Sequence, residues 1–148
     1  MVICWGERQI SDKSPLLLVM TWGFRMSSYD RIWDELAAAA FEAIRVDRLS
    51  PTQVNKLLEV YESTGRDLNT LLAFVARQVG RGQWGRGTSA RRLYEILRSV
   101  KADDIRKVLG VFKWLFEACH RKRFPPNMRP GRPAEKGFFL KYLEACMR

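Results

Sequence analysis

The sequence predicts an all-α protein: a compact bundle of five or six helices behind an irregular N-terminal extension. Two observations predict the bundle. Apolar residues recur at three- and four-residue intervals through most of the chain beyond residue 28. Ser, Asp, Pro and Gly punctuate those stretches at the offsets that start and stop helices. A third observation sets the scale, since 148 residues suffice for one domain with a real core. The expected division is an extension over 1–25 and the bundle over 26–148.

The extension is the least legible part. Leu16, Leu17, Leu18, Val19 and Met20 form an apolar run too short to span a bilayer. Glu7 and Asp12 precede it where a signal peptide needs basic residues. Ser27 or Ser28 then caps a helix over about 29–46, with Tyr29, Trp33, Leu36, Ala37, Ala40 and Ile44 on one face. Ser50, Pro51 and Gln53 mark the next start: N-cap, first-turn proline and capping-box partner. Val54, Leu57, Leu58 and Tyr61 are its buried stripe, and Gly65 ends it in the left-handed conformation. Asp67 caps a helix over 68–79 whose core residues include Leu71 and Phe74. A further helix runs over 89–100 with Leu93, Ile96 and Leu97 inward. Asp103 and Asp104 open another, to about 122, with Phe112 and Phe116 in its core face and Arg121 and Lys122 in a basic fringe. A proline-rich basic linker over 121–133 cannot be helix, and Pro133 and Ala134 start the last helix.

Between two of these helices lies the stretch that suggests a ligand. Residues 80–87 hold four glycines, Arg81, Trp84 and Arg86, and Arg77, Arg91 and Arg92 flank them. Glycine lets backbone N–H groups approach a ligand, arginine forks fit phosphate, and an aromatic can stack on a base. A flexible solvated connector is the bland alternative. Charge distribution favours the ligand. The net charge is +10, but residues 1–75 sum to −2 and residues 76–148 to +12. Such asymmetry points to a polyanion.

Other classes find less support. Cys4, Cys119 and Cys146 are widely spaced without a CxxC pair, so neither a disulfide framework nor a zinc site is expected, and the chain reads as cytoplasmic with no membrane partner. His120 is the single histidine, so no His-based metal cage or triad can form. No nucleophile–base pair, paired carboxylates or Walker loop appears, so no catalytic residue, metal or cofactor is expected. A helix-turn-helix DNA-binding protein is a further alternative, but its recognition helix needs a polar face and residues 68–76 are apolar nearly all round.

Three stretches together resemble the small helical subunit of type III-A CRISPR effector complexes. LSPTQVNKLLEVY, at 49–61, resembles that family's "LTxSQIRKxY"-like helix. LLAFVARQVGR, at 71–81, is similar to its "LAYxAGR"-like segment, and VFKWLFEACHRK, at 111–122, to its closing "FxxFFEAxxAYH" helix. Order and spacing agree over about 30–123, while the first 25 residues and the Arg/Pro-rich tail have no counterpart. Asn55 stands where the family usually has a basic residue, with Lys56 beside it. The resemblance implies a non-catalytic bundle acting in antiviral defence. Copies of it would line up along guide RNA paired to target RNA, beside the larger subunits of a ribonucleoprotein complex. It implies RNA-facing roles for Lys56, Arg77, Arg81 and Arg121. With the loop residues and the end of the basic fringe, the expected nucleic-acid-binding set is Lys56, Arg77, Arg81, Trp84, Arg86, Arg91, Arg92, Arg121 and Lys122. The remaining alternatives are a basic helical coat or packaging protein on duplex DNA and a Trp-rich adaptor that binds protein.

Overall fold

The computed structural model describes the backbone over residues 15–148 and side chains from residue 30 onward. Six α-helices and one 3-10 turn are present among the described residues, and no strand. They are α1 (Pro15–Arg45), α2 (Pro51–Ser63), α3 (Leu68–Gly80), α4 (Thr88–Ser99), α5 (Ile105–Cys119) and α6 (Phe138–Cys146), with the 3-10 turn at Ala102–Asp104. The chain divides into two compact units, Met1–Trp33 and Asp34–Arg148. Of the first unit, residues 15–33 are helical. The expected extension lies outside the described residues over 1–14. Over 15–25 it is helix, and α1 passes through Ser27 and Ser28 without starting there. Pro15, favourable in a first helical turn, opens it instead.

In the second unit every residue from 36 to 43 is buried. A helix buried all round is a central one, and its run of four alanines (37–40) lets neighbouring helices come close. Among the other helices α2 packs on α3 and α5, α3 on α4, and α5 on α6. Leu36, Leu57, Leu71, Leu93, Leu97, Phe112 and Phe116 are core residues as expected. Leu58, Phe74 and, in the first unit, Trp33 are only half-buried.

Local chemistry accounts for the helix ends. The Ser50 hydroxyl oxygen accepts from the Gln53 N–H at 3.3 Å. The Gln53 side chain, however, does not complete a capping box. It is buried and accepts from Gln78 Nε2 at 2.9 Å, which ties the first turn of α2 to the last turn of α3. Gly65 takes φ 83° beyond α2. Asp67 caps α3, accepting from the Thr70 hydroxyl and the Thr70 N–H (3.0 Å). Those two bonds hold its carboxyl below the ordinary value.

The C-terminal segment differs from expectation twice. Helix α6 starts at Phe138, not at Pro133, because residues 131–137 are occupied by turns. Cys119 and Cys146 form a disulfide between α5 and α6. Their separation of 27 residues gave no hint of pairing in sequence, and the fold brings their Cα atoms to 5.0 Å. The cysteine-based argument for a cytoplasmic chain is thereby withdrawn, since disulfides are rare in that compartment. Phe41, Phe124, Phe138 and Tyr142 cluster beside it with ring centroids 4.7–5.9 Å apart. The Tyr142 hydroxyl donates to the Leu115 carbonyl at 2.6 Å, and burial pushes its pKa well above the ordinary value.

Candidate nucleic-acid interface

The glycine-rich loop is held by Asp47, a buried carboxylate just beyond α1. Its Oδ1 accepts from the N–H groups of Arg86 (3.2 Å) and Thr88 (3.3 Å). Its Oδ2 accepts from the Ser89 N–H at 2.7 Å and from the Ser89 hydroxyl. Helix α4 begins on Gly87, which has no side chain to cap it, so Asp47 supplies the missing cap and complements the helix dipole. A phosphate cradle was expected here. The structure corrects this: the N–H groups of Arg86, Thr88 and Ser89 already bind Asp47, and those of Arg81, Gly82, Gln83 and Gly87 bond backbone carbonyls. Gly85 is needed for the same contact. A Cβ on it would lie 2.6 Å from the Asp47 carbonyl oxygen.

Two expected ligand residues are likewise part of the interior. Trp84 has 0% exposure, so it anchors the loop and offers no stacking face. Its position between glycines hid this, because no helical periodicity marks burial in a loop. Arg92 is 2% exposed and bonds twice to Glu42, through Nε (2.9 Å) and Nη2 (3.0 Å). Its Nη1 reaches Glu35 at 2.7 Å and its Nη2 the Gly131 carbonyl at 2.8 Å. Burial pulls its pKa down, but the Glu42 and Glu35 carboxylates outweigh that and hold the guanidinium above its ordinary value. Phosphate has no access to it.

What remains is a set of exposed cations brought together from three places. Asp47 joins the loop at 46–50 to the loop at 81–87: Arg48 is its chain neighbour on one side of that junction, with Arg45 two residues before it, and Arg81 and Arg86 belong to the loop on the other. The Gln53–Gln78 bond joins α2, which carries Lys56 one turn on, to the end of α3, which carries Arg77. Arg91 is exposed in the second turn of α4. Lys56 is half-buried and the others are exposed. Among the described residues none of these seven has an ion-pair partner. By contrast Arg66 and Arg106 pair with Glu62, and Lys141 with Glu135.

No protein-family model, curated protein or solved structure matches this chain.

Arg45 and Arg48 escape sequence reasoning because they sit in the half of the chain with net negative charge. The signal that finds them is the fate of the acids. Asp34, Glu35, Glu42 and Asp47 all bond inward, to backbone N–H groups or to Arg92, so they do not neutralise the arginines beside them. Arg121 and Lys122 are exposed in the turn that ends α5, and no bond ties that turn to the two joined loops among the described residues. His120 stacks on Phe116 with centroids 4.9 Å apart. Among the described residues no group of three potential metal ligands occurs, and no helix is long and apolar enough to cross a membrane.

Proposed function

We propose that this protein is a non-catalytic RNA-binding subunit that grips the sugar–phosphate backbone, acting as the small subunit of a type III CRISPR ribonucleoprotein. The observation that carries the RNA reading is the unpaired basic end made of Arg45, Arg48, Lys56, Arg77, Arg81, Arg86 and Arg91. Exposed cations without internal partners gain most from phosphate, because binding releases its condensed counterions. Their loops are pinned by Asp47 and Gly85, so little ordering entropy opposes binding. Backbone contacts position a nucleic acid without reading its sequence.

The resemblance in 49–61, 71–81 and 111–122 supports the assembly. In it the chain works on guide RNA paired to target RNA. Copies of itself and larger subunits line up along that duplex, in defence against foreign nucleic acid. The test is equilibrium binding of the purified protein to an RNA duplex across a salt series, followed by addition of the larger subunits carrying guide RNA. Binding that weakens steeply with salt, ignores sequence and leaves the RNA uncut is the expected result, with entry into the assembled complex. Equal or tighter binding to duplex DNA, with no entry into that complex, points instead to a coat or packaging role. No binding at low salt refutes both.

A further inference from the structure

Helix α5 carries chemistry that the basic end does not use. Its inward stripe runs from Ile105 through Phe112 to Cys119, and Trp114 lies off that stripe with 70% of its surface exposed. Gly110 and Ala118 lie one turn before and after it, on the same face. A Cβ on Gly110 would meet nothing within 4 Å, and Gly110 is not among the glycines with positive φ. Neither packing nor backbone conformation within the chain therefore asks for glycine there, although glycine weakens a helix relative to alanine. The result is a low shelf with one indole standing on it. Lys113 and Arg121 border the shelf, and Glu117 is the one carboxylate within α5 itself.

We propose that this shelf is a second contact for nucleic acid, in which Trp114 stacks on an unpaired base while the bordering cations meet the flanking phosphates. The inference rests on the proposed RNA reading and adds single-stranded segments to it. Charge selects the occupant. A second copy of the chain, itself at net +10, would bring cations against cations in a self-complementary contact. A duplex offers sugar and phosphate but keeps its base faces stacked, whereas a single strand presents both a phosphate chain and open π-faces. An indole beside lysine and arginine fits the second description.

Fluorescence anisotropy at low ionic strength tests this with two labelled probes, a uridine oligomer and an RNA duplex of equal length. The proteins compared are wild type, Trp114→Ala, Trp114→Phe and the Arg81→Ala/Arg86→Ala double variant. Trp114→Ala is expected to weaken oligomer binding by about 5- to 150-fold, the range of one base–aromatic stack. Duplex binding and salt slope should stay unchanged, and Trp114→Phe should restore most of the loss. The double arginine variant should weaken both probes. At an exposed position neither tryptophan substitution disturbs the core, and circular dichroism checks this. Trp114→Ala losing nothing, or losing equally on both probes, overturns the shelf while leaving the basic end intact. Wild type binding neither probe overturns the RNA reading and the shelf with it.

Discussion

Helices α4 and α6 both start on a left-handed glycine, Gly87 at φ 75° and Gly137 at φ 84°, and neither glycine has a side chain to cap with. An aspartate from α1 or the loop after it caps each one. Asp47 holds α4, and Asp34 accepts from the Gly137 N–H at 3.1 Å and the Phe139 N–H at 2.9 Å for α6. The approaching segments then diverge. Before α6, polar side chains turn back on the segment: Arg129 donates to the Pro126 and Met128 carbonyls, Lys141 pairs with Glu135, and Glu35 accepts from the Ala134 N–H. Before α4, Arg81 and Arg86 project outward without partners. One capping device thus supports a partly self-bonded strap, whose Arg123, Arg132 and Lys136 stay exposed, in one place and a cation platform in the other. A basic, glycine-containing loop is therefore not evidence of a ligand until the fate of its cations is known.

The comparison can be broken in order of effect. Arg92→Ala leaves Glu42 and Glu35 without their cation and should cost about 3–5 kcal/mol in denaturant melts. Arg91→Ala, one residue away but exposed, should stay within about 0.5 kcal/mol. Equal losses would contradict the division of roles between them. Next, reducing the Cys119–Cys146 bond should cost about 2–4 kcal/mol by thermal melting. It should leave affinity for an RNA duplex unchanged, because the bond joins α5 to α6 and touches no part of the platform. A parallel loss of affinity would show that the two regions are coupled. Smaller is the difference between Gly85→Ala and Gly82→Ala. Both have positive φ, but only at Gly85 does a Cβ collide with Asp47. Gly85→Ala should be the more destabilising by about 1–3 kcal/mol, and equal melts would mean that the loops are not pressed together as described.

Helix existence was legible wherever a cap and an apolar period coincide, as at Ser50–Pro51 and Asp67. Two features were not, for physical reasons. A start of α1 at Ser27 or Ser28 was expected, but serine caps helices only where the preceding chain leaves the helix, and here it does not. The interior setting of the loop and of Arg92 goes with partners 39 or more residues away, Asp47 for Arg86, Thr88 and Ser89 and Glu42 for the guanidinium. Periodicity carries no information about such partners. For the site, Arg77, Arg81, Arg86 and Arg91 were legible as cations in a basic run. Arg45 and Arg48 required the fold, which spends the neighbouring acids inside.

The salt dependence of RNA-duplex binding by Arg45→Ala/Arg81→Ala/Arg86→Ala tests the central claim most directly, because Arg45 belongs to the site only through the fold. Each phosphate contact removed should reduce the slope of log K against log salt by about 0.7–0.9. Arg81→Ala/Arg86→Ala should therefore lower it by about one to two units, and adding Arg45→Ala should lower it further by about the same per-residue amount. The losses should be equal for unrelated sequences. A triple variant that keeps the wild-type slope and affinity would contradict the account, leaving these loops as solvated connectors and the polyanion to another surface.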